Sequence, residues 1–156
     1  MDVDLTRTRA AAEAAARSFG VELGEPFALS RFSFVAPAGD GSVVKVAWEG
    51  DDESLHEPEA LELWDGDGAV RLLRREGRAL LLERARPGSD ISDLGQEAAL
   101  DVAVDLGRKL WRPAEGPFRW VGDHVPRWLS SKPTPLTPLA LELWESLRPG
   151  RDWVVH

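Results

Sequence analysis

The feature that most limits the fold is a short apolar run with a single lysine at its centre. Residues 42–48 read Ser-Val-Val-Lys-Val-Ala-Trp and follow a turn-forming cluster at residues 37–41. With the alternating residues 27–36, rich in Phe and Val, they predict a strand–turn–strand unit. Lys45 then shares a face with the apolar residues two positions away on either side. Because an unpaired cation is costly to bury, the pattern predicts a partner for Lys45. The alternative is an edge-strand lysine that discourages aggregation.

Glu57 is the predicted partner of Lys45. A helix is expected over residues 57–64, followed by a glycine-rich stop. Apolar residues follow Glu57 at i+3, i+4 and i+7, which places Glu57 on the inward face of this helix. A carboxylate on the inward face of the first helix after the lysine strand favours a Lys45–Glu57 ion pair.

Other roles for the acidic residues around this helix stay open. Ser54 and Glu57 have the spacing of a capping box, in which Glu57 would stabilise the helix start. Pro58 suits a first helical turn and places Glu57 at the helix start instead of inside it. Glu59 and Glu62 lie away from the apolar stripe, so they are expected to be solvated charges.

The segments around this unit alternate between helical and β-type patterns. A helix is expected over residues 6–19, ended by Gly20, and its weak amphipathicity favours a position on the surface. Two further strands are expected at residues 69–73 and 79–83, joined by a polar turn at residues 76–77.

The second half of the chain is predicted to be mainly helical. Residues 84–89 are the best linker candidate, and residues 94–111 are the strongest helix. Residues 114–138 are rich in proline and predict a loop, residues 139–147 another helix, and residues 152–156 a β-like run. The order predicts an α+β fold: an antiparallel sheet with one embedded helix, then an α-helical part. The strongest helix has one inward stripe, formed by Leu100, Ala103, Gly107, Leu110 and Trp111.

Composition excludes or disfavours several classes of site. The chain has no cysteine, which excludes disulfides, thiol catalysis and cysteine zinc sites, and its three histidines are too far apart in sequence to suggest a metal site. A net charge of -8 without a basic block disfavours nucleic-acid binding. On charge alone the acidic surface is expected to serve solubility, and the alternative is that it steers a cationic substrate. No apolar run approaches the roughly 18 residues that span a membrane, and no targeting segment is visible, so a cytoplasmic protein is expected.

Four motifs occur in the order and spacing of a known family. After the lysine run comes His-Glu-x-Glu-Ala-Leu-x-Leu-Trp-x-Gly-x-Gly-Ala-Val-Arg-Leu-Leu at residues 56–73. Leu-Leu-Leu-Glu-Arg-x-x-Pro-Gly follows at residues 80–88, and Leu-Trp-Arg-Pro at residues 110–113, with Trp where the family has His. Together they resemble the aminoglycoside/hydroxyurea phosphotransferase family, which includes streptomycin kinases. The likeness covers residues 43–113 well and extends more loosely to residue 156.

The resemblance implies a protein-kinase-like fold with ATP and Mg²⁺ as cofactors. It implies an ATP-binding N-lobe at residues 1–86, and a hinge or linker with the incomplete start of a helical C-lobe at residues 87–156. Lys45 would contact the ATP phosphates, and Glu57 would anchor Lys45. The hinge that receives adenine through its backbone would be Glu83, Arg84 and Ala85. The loop over the phosphates would contain Ser30, Arg31, Phe32 and Ser33.

The same resemblance places the catalytic loop at the end of this sequence. His156 would be the first residue of that loop, so the general base and the Mg²⁺ ligands are expected beyond it. On this interpretation the chain is a fragment that does not catalyse phosphoryl transfer by itself. Its tryptophans at positions 111, 120, 128, 144 and 153 would expose apolar surface and lower its stability.

Three functions other than an antibiotic kinase stay open. One is a kinase of the same fold for another small polar substrate, such as a sugar or choline. Another is a decayed kinase that binds nucleotide or a protein partner without catalysis. The last is an acidic α+β interaction domain in which Lys45 and Glu57 have no special role. The sequence leaves the oligomeric state open.

Overall fold

The computed structural model describes residues 6–27, 32–113, 116–131, 133–147 and 154–155. The chain divides into two compact units, Met1–Trp111 and Arg112–His156. The predicted lobe boundary at residue 86 stays a prediction.

The first unit is built on a four-stranded antiparallel sheet. Its strands are β1 (Ser33–Pro37), β2 (Val43–Ala47), β3 (Leu72–Glu76) and β4 (Ala79–Leu82), and their order across the sheet is β1-β2-β4-β3. Among the described residues of this unit, three helices accompany the sheet: α1 (Thr6–Phe19) before β1, α2 (Glu57–Trp64) between β2 and β3, and α3 (Gln96–Leu110) after β4. A short 3₁₀ turn, Ile91–Asp93, precedes α3. These elements match the predicted order of an antiparallel sheet with one embedded helix.

Each face of the sheet has its own apolar cluster, because side chains alternate along the strands. The first cluster joins α1 to one face of β1, β2 and β4 and contains the larger share of the core. The second joins Leu61 of α2 to Leu80 and Leu82 on the opposite face. Lys45 lies on this second face, since Val44 and Val46 on either side of it belong to the first cluster.

Helix α1 has the predicted bounds, but its expected surface position is wrong. Thr8, Ala12, Ala15, Ala16 and Phe19 form a buried stripe that packs on the sheet. Alanine side chains let the helix backbone come close to the strands, so a helix of modest hydrophobicity still covers a sheet face.

Strand boundaries in the second hairpin differ from the prediction. β3 begins at Leu72 instead of residue 69, and it runs to Glu76, which pairs with Ala79. The turn therefore consists of Gly77 and Arg78, one residue later than expected. Gly77 has a positive φ of 58°, a conformation that glycine adopts without steric cost.

Helix α3 does not bury the predicted inward stripe in the described residues. Within the stripe Gly107 is buried, whereas Leu100 is 62 % and Trp111 84 % exposed. Periodicity in a sequence shows which face is apolar, but burial also needs a partner surface, and the described residues supply one only near Gly107 and Leu110.

In the part of the second unit that the structure describes, two helices accompany a two-stranded ribbon. β5 (Arg119–Trp120) pairs antiparallel with β6 (Val154–Val155), and α4 (Val121–Ser131) and α5 (Thr137–Leu147) pack on each other. The prediction of a loop over residues 114–138 is therefore wrong for α4. The proline content of this segment and its lack of a clean period favoured a loop, but of its prolines only Pro126 lies inside α4.

Candidate functional site

Lys45 lies in the middle of the sheet. β2 is bordered by β1 and β4, with Lys45 opposite Val35 on one side and Leu80 on the other. The alternative of an edge-strand lysine is therefore wrong. The ammonium group stands on a face whose neighbouring side chains are apolar, where an unpaired charge would be poorly solvated.

Glu57 is the partner of Lys45, as the sequence predicted. The Nζ atom of Lys45 donates a hydrogen bond to Oε1 of Glu57. The two side chains are 25 % and 17 % exposed, so much of this ion pair is shielded from water. Oε2 of Glu57 is buried and has no hydrogen-bond partner among the described residues. An acceptor oxygen therefore remains beside the pair.

The capping-box alternative for Glu57 is wrong. The residue before α2 is His56, and no side chain caps the helix start. The hydroxyl of Ser54 donates instead to the carbonyl of Asp51, at 3.1 Å. Pro58 lies in the first turn and is buried, so it fixes the direction in which α2 leaves the loop. The side chain of Glu57 at the helix start therefore extends toward β2, where it contacts Lys45.

Glu59 is not the solvated charge that the sequence suggested. Its Oε1 accepts a hydrogen bond from Nη1 of Arg75 at 2.9 Å, and its side chain is 29 % exposed. Burial alone would raise the pKa of Glu59, but the hydrogen bond from Arg75, one from its own backbone amide and nearby positive charge together hold that pKa below its ordinary value. Glu62 lies 3.8 Å from the same Arg75 atom and is more exposed, as expected.

Arg78 is a further residue that sequence reasoning missed. Its Nη1 atom donates to the carbonyl of Trp48 at 3.2 Å and to that of Asp51 at 3.0 Å. The arginine thus fixes the loop that runs from the end of β2 towards α2. Only the tertiary fold brings residues about 30 positions apart together, so no local pattern could have identified this contact.

The predicted hinge follows β4 and is exposed. The backbone N–H of Glu83 donates to the carbonyl of Arg71 at 2.9 Å, and its carboxylate accepts from the N–H of Arg71 at 3.2 Å. The guanidinium of Arg84 lies 5.9 Å from the centre of the Phe27 ring. The roles of Glu83, Arg84 and Ala85 towards adenine stay predictions.

The predicted loop over the phosphates is only partly described. Ser30 and Arg31 lie outside the described residues. Phe32 is 45 % exposed, and its carbonyl accepts a hydrogen bond from the N–H of Trp48 at 2.8 Å. Ser33 is the first residue of β1. Their roles towards phosphate stay predictions, and His156, the proposed start of the catalytic loop, also lies outside the described residues.

In the parts of the chain that the structure describes, no group of three or more His, Asp or Glu side chains is arranged to hold a metal ion. No described helix is both long and apolar enough to cross a membrane.

Comparison with known proteins identifies the family. The family model for the aminoglycoside/hydroxyurea antibiotic resistance kinases matches residues 21–122, more than half of the chain. The chain is 40 % identical over 90 residues to a hydroxyurea phosphotransferase of Kitasatospora aureofaciens, an alignment that covers 53 % of this chain and 26 % of that protein. It is 33 % identical over 92 residues to a streptomycin 3''-kinase of Klebsiella pneumoniae, covering 54 % of this chain and 34 % of the kinase.

These alignments span about a quarter to a third of the curated relatives' length. No solved structure matches the chain. The matched region contains β1 to β4, the Lys45–Glu57 pair and α3. The chain belongs to the aminoglycoside/hydroxyurea antibiotic resistance kinase family.

Proposed function

We propose that this chain provides the ATP-handling part of a phosphotransferase for small polar molecules. The phosphoryl group of ATP would be transferred to a hydroxyl group of an acceptor of the aminoglycoside or hydroxyurea type. The ion pair between Lys45 and Glu57 carries this proposal. A lysine on a sheet strand, held by a glutamate of the following helix, is the arrangement that positions nucleotide phosphates in kinases.

The chemistry of this pair suits phosphate binding. An ammonium group has three donors, and Glu57 accepts from one of them. The remaining donors and the positive charge are available to phosphate oxygens. Val35 and Leu80 flank Lys45 on the same face and lower the local dielectric, which strengthens an interaction between the ammonium and an anion. Glu57 also keeps the long lysine side chain in one orientation before nucleotide binds.

The backbone after β4 would receive the adenine. Glu83 and Ala85 follow the strand that pairs with β2, so they lie at one end of the sheet face that carries Lys45. Mg²⁺ bound with ATP would neutralise additional phosphate charge. The described residues offer it no cluster of carboxylates. The net charge of -8 favours the approach of a cationic acceptor such as an aminoglycoside.

Nucleotide-dependent stabilisation tests the proposal. With ATP and Mg²⁺ at about 100 times the dissociation constant, bound ligand contributes about 2.7 kcal/mol, which raises the melting temperature by about 5–10 °C. The shift should be lost in Lys45→Ala and retained in Lys109→Ala, because Lys109 pairs with Asp67 and not with Glu57. An unchanged melting temperature with ATP, or equal shifts in both variants, would contradict the proposal. ADP formation measured separately with streptomycin and with hydroxyurea then tests the acceptor class.

A further inference from the structure

A second ion pair lies beside the Lys45–Glu57 pair. Arg75 and Lys45 both lie opposite Leu80, on β3 and β2 respectively, so the three residues form one row across the sheet. Neighbouring strands are about 4.8 Å apart, which puts the two cationic residues roughly 10 Å apart on either side of Leu80. We call this set the 45–80–75 row.

The start of α2 is attached to both ends of the 45–80–75 row. Glu57 accepts from Lys45 at one end, and Glu59 accepts from Arg75 at the other. Leu80, 2 % exposed, lies between the two attachment points and packs against Leu61 of α2. With one ion pair, the helix start would have a charged contact with the sheet on one side of Leu80 only, in addition to the apolar packing of Pro58 and Leu61. Two pairs on opposite sides of Leu80 restrain the orientation of the helix start more tightly.

A register shift in β3 brings Arg75 to this face. Leu72 pairs with Leu82, but the next partners are Arg74 with Leu81 and Arg75 with Leu80, so one residue is left out of the ladder. A regular ladder would place Arg74 opposite Leu80 and turn Arg75 to the α1 face. A bulge exchanges the faces of the residues that follow it. In the structure Arg74 contacts Phe19 of α1, and Arg75 contacts α2.

We propose that Arg75 is a positioning residue for the candidate nucleotide site. It acts through Glu59, holding the first turn of α2 in the orientation that keeps Glu57 on Lys45. The inference rests on the proposed function for its consequence, which is weaker nucleotide binding when Arg75 is changed. Its structural part, control of the Lys45–Glu57 pair by Arg75, can be measured without nucleotide.

The reactivity of Lys45 is the direct readout. The chain has three lysines, at positions 45, 109 and 132, so acylation by a water-soluble succinimidyl ester can be quantified at each by mass spectrometry. Held by Glu57, Lys45 should react slowly. In Arg75→Met the Lys45–Glu57 ion pair should loosen. The labelling rate of Lys45 relative to that of Lys109 should then rise by about 3–10-fold, which corresponds to the loss of one or two partly shielded contacts. Glu59→Gln should give a rise in the same direction.

Two variants separate positioning from general loosening. Arg9→Met removes an exposed arginine that pairs with Glu13, and it should leave the labelling of Lys45 unchanged. Arg75→Lys should restore slow labelling, because Arg75 reaches Glu59 through one nitrogen and a lysine can supply one donor. Circular dichroism spectra of all the variants identify any that do not fold, and Glu59→Gln then substitutes for Arg75→Met.

Each outcome supports or overturns the inference. It is overturned if Lys45 labelling is unchanged in Arg75→Met and Glu59→Gln while Glu57→Gln raises it, since the pair would then hold without Arg75. It is also overturned if Arg75→Lys labels as fast as Arg75→Met. Calorimetric titration with a non-hydrolysable ATP analogue is independent of this result. If the wild-type chain fails to bind the analogue while the labelling pattern is as expected, the proposed function fails and the positioning role of Arg75 stands.

Discussion

The Lys45–Glu57 pair allows a quantitative prediction of stability. Exposed ion pairs contribute about 0.2–1 kcal/mol, whereas removal of one partner of a fully buried pair costs about 3–5 kcal/mol. With exposures of 25 % and 17 %, this pair lies between those limits. We expect Lys45→Met to cost about 2 kcal/mol, because it leaves a shielded carboxylate without its cation while preserving the apolar stem. Glu57→Gln should cost about 1 kcal/mol, since the amide oxygen still accepts from Lys45.

The double variant tests whether these losses come from the pair itself. Once Lys45 is replaced by methionine, Glu57→Gln removes an uncompensated charge, so the double loss should be smaller than the summed single losses by about 1 kcal/mol. Native-state hydrogen exchange at the amides of Val44 and Val46 measures these free energies within the first unit, because β2 is bordered by strands on both sides. If the loss in the double variant equals the sum of the two single losses to within about 0.3 kcal/mol, the two residues do not interact and the losses do not come from the ion pair.

Three other predictions concern residues around the site. Leu80→Ala should destabilise the fold by about 3 kcal/mol in urea unfolding, because Leu80 is 2 % exposed, whereas Leu63→Ala, at a 37 % exposed position, should cost less than about 1 kcal/mol. The pKa of Glu59 is below its ordinary value of 4.5, so its ion pair stabilises the fold fully above pH 4.5 and loses this effect as the pH falls through the lower pKa of the folded state. Glu59→Gln lacks this titrating group, so its melting temperature should decrease less steeply below pH 4.5 than that of the wild type. Trp111 is 84 % exposed, so Trp111→Gln should lower the fluorescence of a bound hydrophobic dye, and an unchanged signal would contradict the exposure of its ring.

The central part of the site could be predicted because its signals are local. The alternation around Lys45 gives its face on the strand, and the spacing of apolar residues after Glu57 gives the inward side of α2. Both signals come from residues within two helical turns or a few strand positions of the side chain whose face they predict. The structure confirms the pair that follows from them.

The contacts of Arg75 and Arg78 could not be predicted in the same way. The face of Arg75 depends on a register shift between Leu72 and Arg74, and a bulge of one residue leaves no sequence signature that fixes its place. Arg78 acts on carbonyls some 30 residues earlier. In each case the partner is set by how strands and loops come together.

The bounds of a helix can be predicted where composition and an end signal agree. Gly20 follows the last residue of α1, and the predicted and observed bounds coincide. In α4 the internal Pro126 disfavours a helix, because proline lacks the N–H that helical hydrogen bonding uses. The predicted loop over residues 114–138 rested on the proline content of that segment. The helical spacing of apolar residues on either side was the better guide.

Affinity labelling with an acyl phosphate derivative of ATP shows whether Lys45 contacts nucleotide phosphates. In this reagent the lysine amine attacks the acyl carbon, forms an amide and releases the nucleotide, so acylation marks the amine nearest the bound phosphates. We expect that Lys45 is acylated in preference to Lys109 and Lys132, and that excess ATP suppresses this labelling. Equal acylation of the three lysines, unaffected by ATP, would contradict a nucleotide-phosphate site at Lys45.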